Sequence, residues 1–170
     1  FRAALAWYCL PNRETTTRLY IKTDSWHLHF YPLLRAWFPE TPFLIITRTP
    51  EEVLQSQHQQ RGVQSVPGIL DPAIFGFDKE ELSFDLDGHM DKVLATYYKR
   101  IIDIIKTDWQ VTVVDYREGM ETILKKTTQL ANAAGPPGYE AAVRGRLQFD
   151  GKHPRMFFDP QPDRKSITAS

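Results

Sequence analysis

The chain has 170 residues, enough to bury a core without disulfides or a structural metal. Apolar residues make up 42% and charged residues 25%, which excludes wholesale disorder; Lys plus Arg and Asp plus Glu are both 21, which excludes a globally basic binder of nucleic acid or membrane surfaces. The single cysteine, Cys9, excludes an intrachain disulfide and a cysteine metal cluster, and no run reaches the roughly 20 apolar residues of a membrane span. The expectation is a cytoplasmic protein without a metal, a nucleic-acid partner or a transmembrane segment, of undetermined oligomeric state.

Three segments read as strands: LYIKT (Leu19 to Thr23), FLIITR (Phe43 to Arg48) and VTVVDY (Val111 to Tyr116). Two of them are nearly continuous apolar runs, as strands covered on both faces are, so a central parallel sheet is expected. Between the first two, WHLHFYPLLRAWFP carries apolar residues at helical spacing, with Pro32 suited to the first turn and Pro39 closing the helix. After the second strand, Thr49 fits an N-cap, Pro50 the first helical position and Glu51 and Glu52 the first turn of a helix running to about Arg61. Residues 62–88 show glycines, prolines and phenylalanines without a period and read as an excursion of the kind that covers a binding cleft, with Phe75, Phe77 and Phe84 as candidate lining. His89 to Thr107 is a strongly amphipathic helix, Glu118 to Ala134 another, and Tyr139 to Leu147 a third. Residues 148–170 form a basic, Pro-rich tail.

The candidate site centres on FLIITRTPEEVLQSQ. In open α/β sheets ligands sit beyond the carboxyl ends of parallel strands, where helix N-termini offer N–H groups to anions. Arg48 stands at that edge and carries a planar fork of donors, and Ser56, about two helical turns into the next helix, adds a hydroxyl. The pair suits a phosphate. Spacing alone favours an ordinary surface arginine and a solvated serine.

ITRTPEEVLQS resembles the 3′-phosphate-binding motif of sulfotransferases that use 3′-phosphoadenosine 5′-phosphosulfate (PAPS), in which a strand-end arginine and a serine eight residues later grip the nucleotide. The likeness extends along the chain. LYIKTDSWHLHFYPLLRAWFPETPFLIITRTP is similar to the family's order of strand, Lys-Thr element, helix, Phe-Pro, strand and Arg-x-Pro. VVDYREGMETILKKTTQLANAAG resembles its later strand and helix, RGRLQFDGKHPRMFFDP resembles a late segment of bacterial members near the tyrosylprotein-sulfotransferase-like branch, and ITAS resembles the start of a further element. The resemblance implies a three-layer, P-loop-NTPase-like α/β fold, one partial domain over residues 1–170, PAPS as donor, adenosine 3′,5′-bisphosphate (PAP) as product and a small-molecule or glycan acceptor. The family's opening strand and phosphosulfate loop have no counterpart, since no glycine precedes Gly62. FRAALAWYCLPNRETTTR is then expected to be the helix and linker downstream of that loop.

Sulfuryl transfer requires a base for the acceptor's proton and cations for the charge on the leaving phosphate. By the resemblance, Lys22 serves the leaving group. Asp24 stands where the cytosolic branch has a histidine and is a candidate base or, equally, a helix N-cap. His27 and His29 are nearby substitutes. Tyr116, Lys152 and Arg155 are candidate nucleotide contacts, with Lys165 and Arg164 further along the tail. Two alternatives belong to other classes: a nucleotide-kinase-like phosphoryl transferase, which has no 3′-phosphate to hold, and a non-catalytic binding module of the same fold.

Overall fold

The computed structural model describes residues 3, 19–78, 85–132, 137–149 and 155–157. The chain divides into two units, Phe1–Asp115 and Tyr116–Ser170.

The first unit is mixed α/β. Strands β1 (Phe43–Thr47) and β2 (Val111–Asp115) pair in parallel, in register from Phe43 opposite Val111 to Thr47 opposite Asp115. A parallel pair needs a long crossover, here built from helix α2 (Pro50–Gln59), short 3₁₀ turns at Val63–Ser65 and Pro72–Phe75, and helix α3 (Leu86–Thr107). Preceding β1 are a 3₁₀ helix, Ser25–Phe30, and helix α1 (Tyr31–Trp37), with Pro32 in the first turn of α1 as expected.

Helix α3 is the spine of this unit. Its residues Met90, Val93, Leu94, Tyr97 and Ile104 recur at helical spacing and are all buried. The first four close around Phe75, with Trp26, Leu28, Val53 and Leu54 packed against them. Ile104 joins Tyr31 and Ile45 in a second cluster, flanked by Phe43, Val111 and Val113, which seats α3 and α1 on the sheet. Each fully buried aliphatic side chain here contributes roughly 1.5–3 kcal/mol relative to exposure.

One expected strand does not form. Leu19 to Thr23 lies in no ladder, and Leu19, Tyr20 and Ile21 are 45%, 54% and 48% exposed. Among the described residues the sheet therefore has two strands. Apolar, β-branched composition shows only that a segment suits a pleated, half-buried surface; a ladder partner makes it a strand, and here β1 and β2 pair with each other.

At the amino-terminal end of the sheet, one polar cluster ties three elements together. Arg35 donates from Nε to Asp108 Oδ2 at 2.6 Å and from Nη1 to the carbonyls of Phe38, Pro39 and Thr41 at 3.2, 3.0 and 2.7 Å. Its guanidinium lies 4.6 Å from the centroid of the Phe43 ring. The Tyr31 hydroxyl also donates to Asp108, whose other oxygen accepts from the Gln110 N–H at 2.8 Å. Burial, and then the Asp108 carboxylate, push the Tyr31 hydroxyl up to about 12. The Tyr31 hydrogen bond, followed by the Gln110 N–H and Arg35, holds Asp108 below the usual carboxylate range.

The second unit contains a 3₁₀ turn, Tyr116–Glu118, helix α4 (Met120–Leu130) and helix α5 (Tyr139–Leu147). Gly119, at φ +87°, turns the chain into α4, so the helix starts two residues later than its sequence pattern suggests. Lys126 pairs with Glu118 at 2.7 Å, and the rings of Phe149 and Phe157 stack at 5.0 Å beside a β-bridge.

Candidate functional site

The junction of β1 and α2 follows from its residue types. Thr49 takes an extended conformation as N-cap, Pro50 supplies the helical φ at the first position, and Glu52 closes a capping box. In that box the Glu52 N–H donates to Thr49 Oγ1 at 3.3 Å, and the Thr49 N–H donates to Glu52 Oε2 at 3.1 Å. The cap is as expected, with one consequence for anion binding. Pro50 has no N–H, the Glu52 N–H is used by the box and the Val53 N–H goes to the Thr49 carbonyl at 3.1 Å. The helix N-terminus is thus largely occupied by its own chain, and an anion at this edge depends mainly on side chains.

Arg48 directly follows β1 and is exposed. Its main-chain carbonyl accepts a hydrogen bond from the Tyr98 hydroxyl, which reaches it from the middle of α3. Burial, and then the nearby carboxylates of Glu51, Glu52 and Asp115, raise the Tyr98 phenol above its ordinary value, so it remains a donor at neutral pH. Ser56 is half-buried on α2, one helical turn beyond Glu52. Val53 and Leu54 pack against the α3 cluster, which fixes the rotation of α2 and sets Ser56 at the flank of the buried face.

The other candidates of this unit lie in and before the 3₁₀ helix Ser25–Phe30. Lys22 and Asp24 are exposed. Asp24 occupies the N-cap position but its side chain makes no capping bond; its carbonyl instead accepts from the His27 N–H at 3.1 Å and pairs with His27 Nδ1 at 3.2 Å. A carbonyl can only accept, so the bond places the proton on Nδ1 and the basic lone pair of His27 on Nε2. The His27 ring rests on Trp26 with centroids 3.8 Å apart. Ser25 Oγ donates to the Tyr97 hydroxyl at 3.4 Å, and burial pushes that phenol up to about 12. His29 sits deeper, its Nε2 3.3 Å from Thr96 Oγ1 and its ring near those of Phe75 and Tyr97. Burial, and then Arg100, lower its pKa.

No family model, curated protein or solved structure matches the chain.

The structure brings Asp24 and His27 into direct contact and attaches both candidate segments to α3 through consecutive residues, Tyr97 for the first and Tyr98 for the second. In the second unit, Tyr116 is half-buried at the start of its 3₁₀ turn, where its carbonyl accepts from the Gly119 N–H at 3.1 Å. Arg155 is exposed, while Lys152, Arg164 and Lys165 lie outside the described residues. Of the phenylalanines of the excursion, Phe75 is 6% exposed and belongs to the core rather than to a cleft lining, while Phe77 is half-buried and packs on Phe75 and His89. Phe84 lies outside the described residues. Among the described residues no helix is long and apolar enough to cross a membrane, and no group of three metal-ligating side chains converges.

Tyr98 is the contributor that sequence reasoning missed. It lies on the apolar face of α3, partly buried against the core, yet a tyrosine on such a face brings a hydroxyl that needs a partner. That need was the available signal.

Proposed function

We propose that this chain binds a 3′-phosphorylated adenosine nucleotide and takes part in sulfuryl transfer from PAPS to a hydroxyl or amine acceptor on a small molecule or glycan. The observation that carries the reading is the position of Arg48, one residue beyond the carboxyl end of a parallel strand, followed by a capped helix bearing a half-buried Ser56. The donor set suits a phosphate: a guanidinium for charge and paired hydrogen bonds, and a hydroxyl for a further one. The capping box supports the same division of labour, since Glu52 spends its carboxylate on the Thr49 N–H.

In this reading Arg48 and Ser56 hold the 3′-phosphate of PAPS, and of PAP after transfer. An acceptor oxygen forms a bond to sulfur while the bond from sulfur to the 5′-phosphate oxygen breaks, leaving its electron pair on the phosphate. Lys22 supplies the cation for that charge. The acceptor's proton goes to Asp24 or to Nε2 of His27, whose Nδ1 is engaged by the Asp24 carbonyl.

Calorimetric titration of PAP, with adenosine 5′-monophosphate as the control, tests the reading. The expected result is binding that depends on the 3′-phosphate. Equal affinity for the two nucleotides, or none for either, overturns it.

A further inference from the structure

The arginine that the proposed function needs is anchored by its main chain. The Tyr98 hydroxyl donates to the Arg48 carbonyl across fifty residues of sequence, fixing the peptide group between the end of β1 and the N-cap of α2. The opposite side of that turn is fixed by the capping box on Thr49, so the backbone at Arg48 is constrained from both directions. Tyr97, the preceding residue of α3, is turned about 100° from Tyr98 around the helix and engages Ser25 instead. Two neighbouring phenols on one rigid helix thus tie down separate segments, and of the two it is Tyr98 that touches the arginine.

From this geometry we infer that Tyr98 is a positioning residue for 3′-phosphate recognition: by holding the Arg48 carbonyl it sets the direction in which the guanidinium leaves the strand end. The inference rests on the reading of Arg48 as the phosphate grip and adds to it the source of selectivity. A guanidinium delivers paired hydrogen bonds only when its plane is correctly aimed, so loosening the peptide that carries it costs 3′-phosphate binding while the rest of the nucleotide is held as before.

The test uses the whole chain with Tyr98→Phe, and Tyr97→Phe as the companion. Tyr98→Phe keeps the ring in place and removes only the hydroxyl. Affinities for PAP and for adenosine 5′-monophosphate are measured for each protein, together with the unfolding midpoint. Tyr98→Phe is expected to weaken PAP roughly three- to tenfold, the range for one lost hydrogen bond, with little change for the monophosphate. Tyr97→Phe is expected to leave the ratio of the two affinities at the wild-type value. Two results overturn the inference: an unchanged ratio in Tyr98→Phe, whether or not both affinities fall, or the same change of ratio in Tyr97→Phe. If the wild-type chain discriminates and Tyr98→Phe discriminates equally, only the role of Tyr98 falls; if the wild-type chain does not discriminate, the proposed function falls with it.

Discussion

Two arginines stand at opposite ends of β1, and the fold handles them differently. Arg35, beside Phe43 at the start of the strand, is engaged through its side chain: a carboxylate, three carbonyls and an aromatic face surround its guanidinium, whose side chain is only 19% exposed. Arg48, just past the other end, is exposed, and its main-chain carbonyl accepts from the Tyr98 hydroxyl. A guanidinium saturated with internal acceptors serves the fold by joining α1, β1 and the end of α3. An exposed arginine whose main chain is anchored just past the carboxyl end of a parallel strand stands at the edge where such sheets take ligands. The same residue type is thus a fastening, from α1, at one end of β1 and a candidate ligand contact just past the other.

The contrast predicts different phenotypes. Arg35→Ala strands the partly buried Asp108 carboxylate and three carbonyls, and is expected to lower stability by about 2–3 kcal/mol in urea unfolding. Loss of well under 1 kcal/mol would show that solvent replaces these bonds and that the end of the sheet is not fastened by them. Arg48→Ala is expected to weaken PAP by about 2 kcal/mol, roughly thirtyfold, with the unfolding midpoint near wild type. The reverse pattern, stability lost and affinity kept, would make Arg48 a second fastening and remove the distinction.

What the sequence made legible was local. Thr49-Pro50-Glu51-Glu52 marks a helix start because capping is a contest among neighbours, and the structure has that capping box. Pro32, the helices within 86–107 and 139–147, and the apolar runs of β1 and β2 were readable for the same reason. Pairing was not: Leu19 to Thr23 has strand composition, but a ladder is a relation between distant segments that composition does not encode. The core place of Phe75 was hidden for a related cause, since a segment without a period gives no indication of which aromatic residues the long helix collects. In the candidate site, Arg48 and Ser56 could be picked out by residue type and position, whereas Tyr98 depends on a contact between residues fifty positions apart.

The smallest expected effect concerns the attachment of the other candidate segment. His29 lies behind Asp24 and His27 on the 3₁₀ helix, facing Thr96, Tyr97 and Arg100 of α3 and Phe75 of the excursion. Burial, and then Arg100, disfavour its charged form, so its folded pKa lies below the unfolded value near 6.5. Between those two values the unfolded chain binds more protons than the folded one. The contribution to stability is therefore complete above about pH 6.5 and is lost as pH falls through the folded pKa. His29→Gln keeps a side chain able to reach Thr96 but cannot take up the proton, so its unfolding midpoint should decline less steeply than wild type between about pH 7 and pH 5. Parallel curves for the two proteins would place the acid sensitivity elsewhere and would show that the 3₁₀ helix is held to α3 by its apolar contacts, Trp26 and Leu28 against the α3 cluster, rather than by a histidine that must stay neutral.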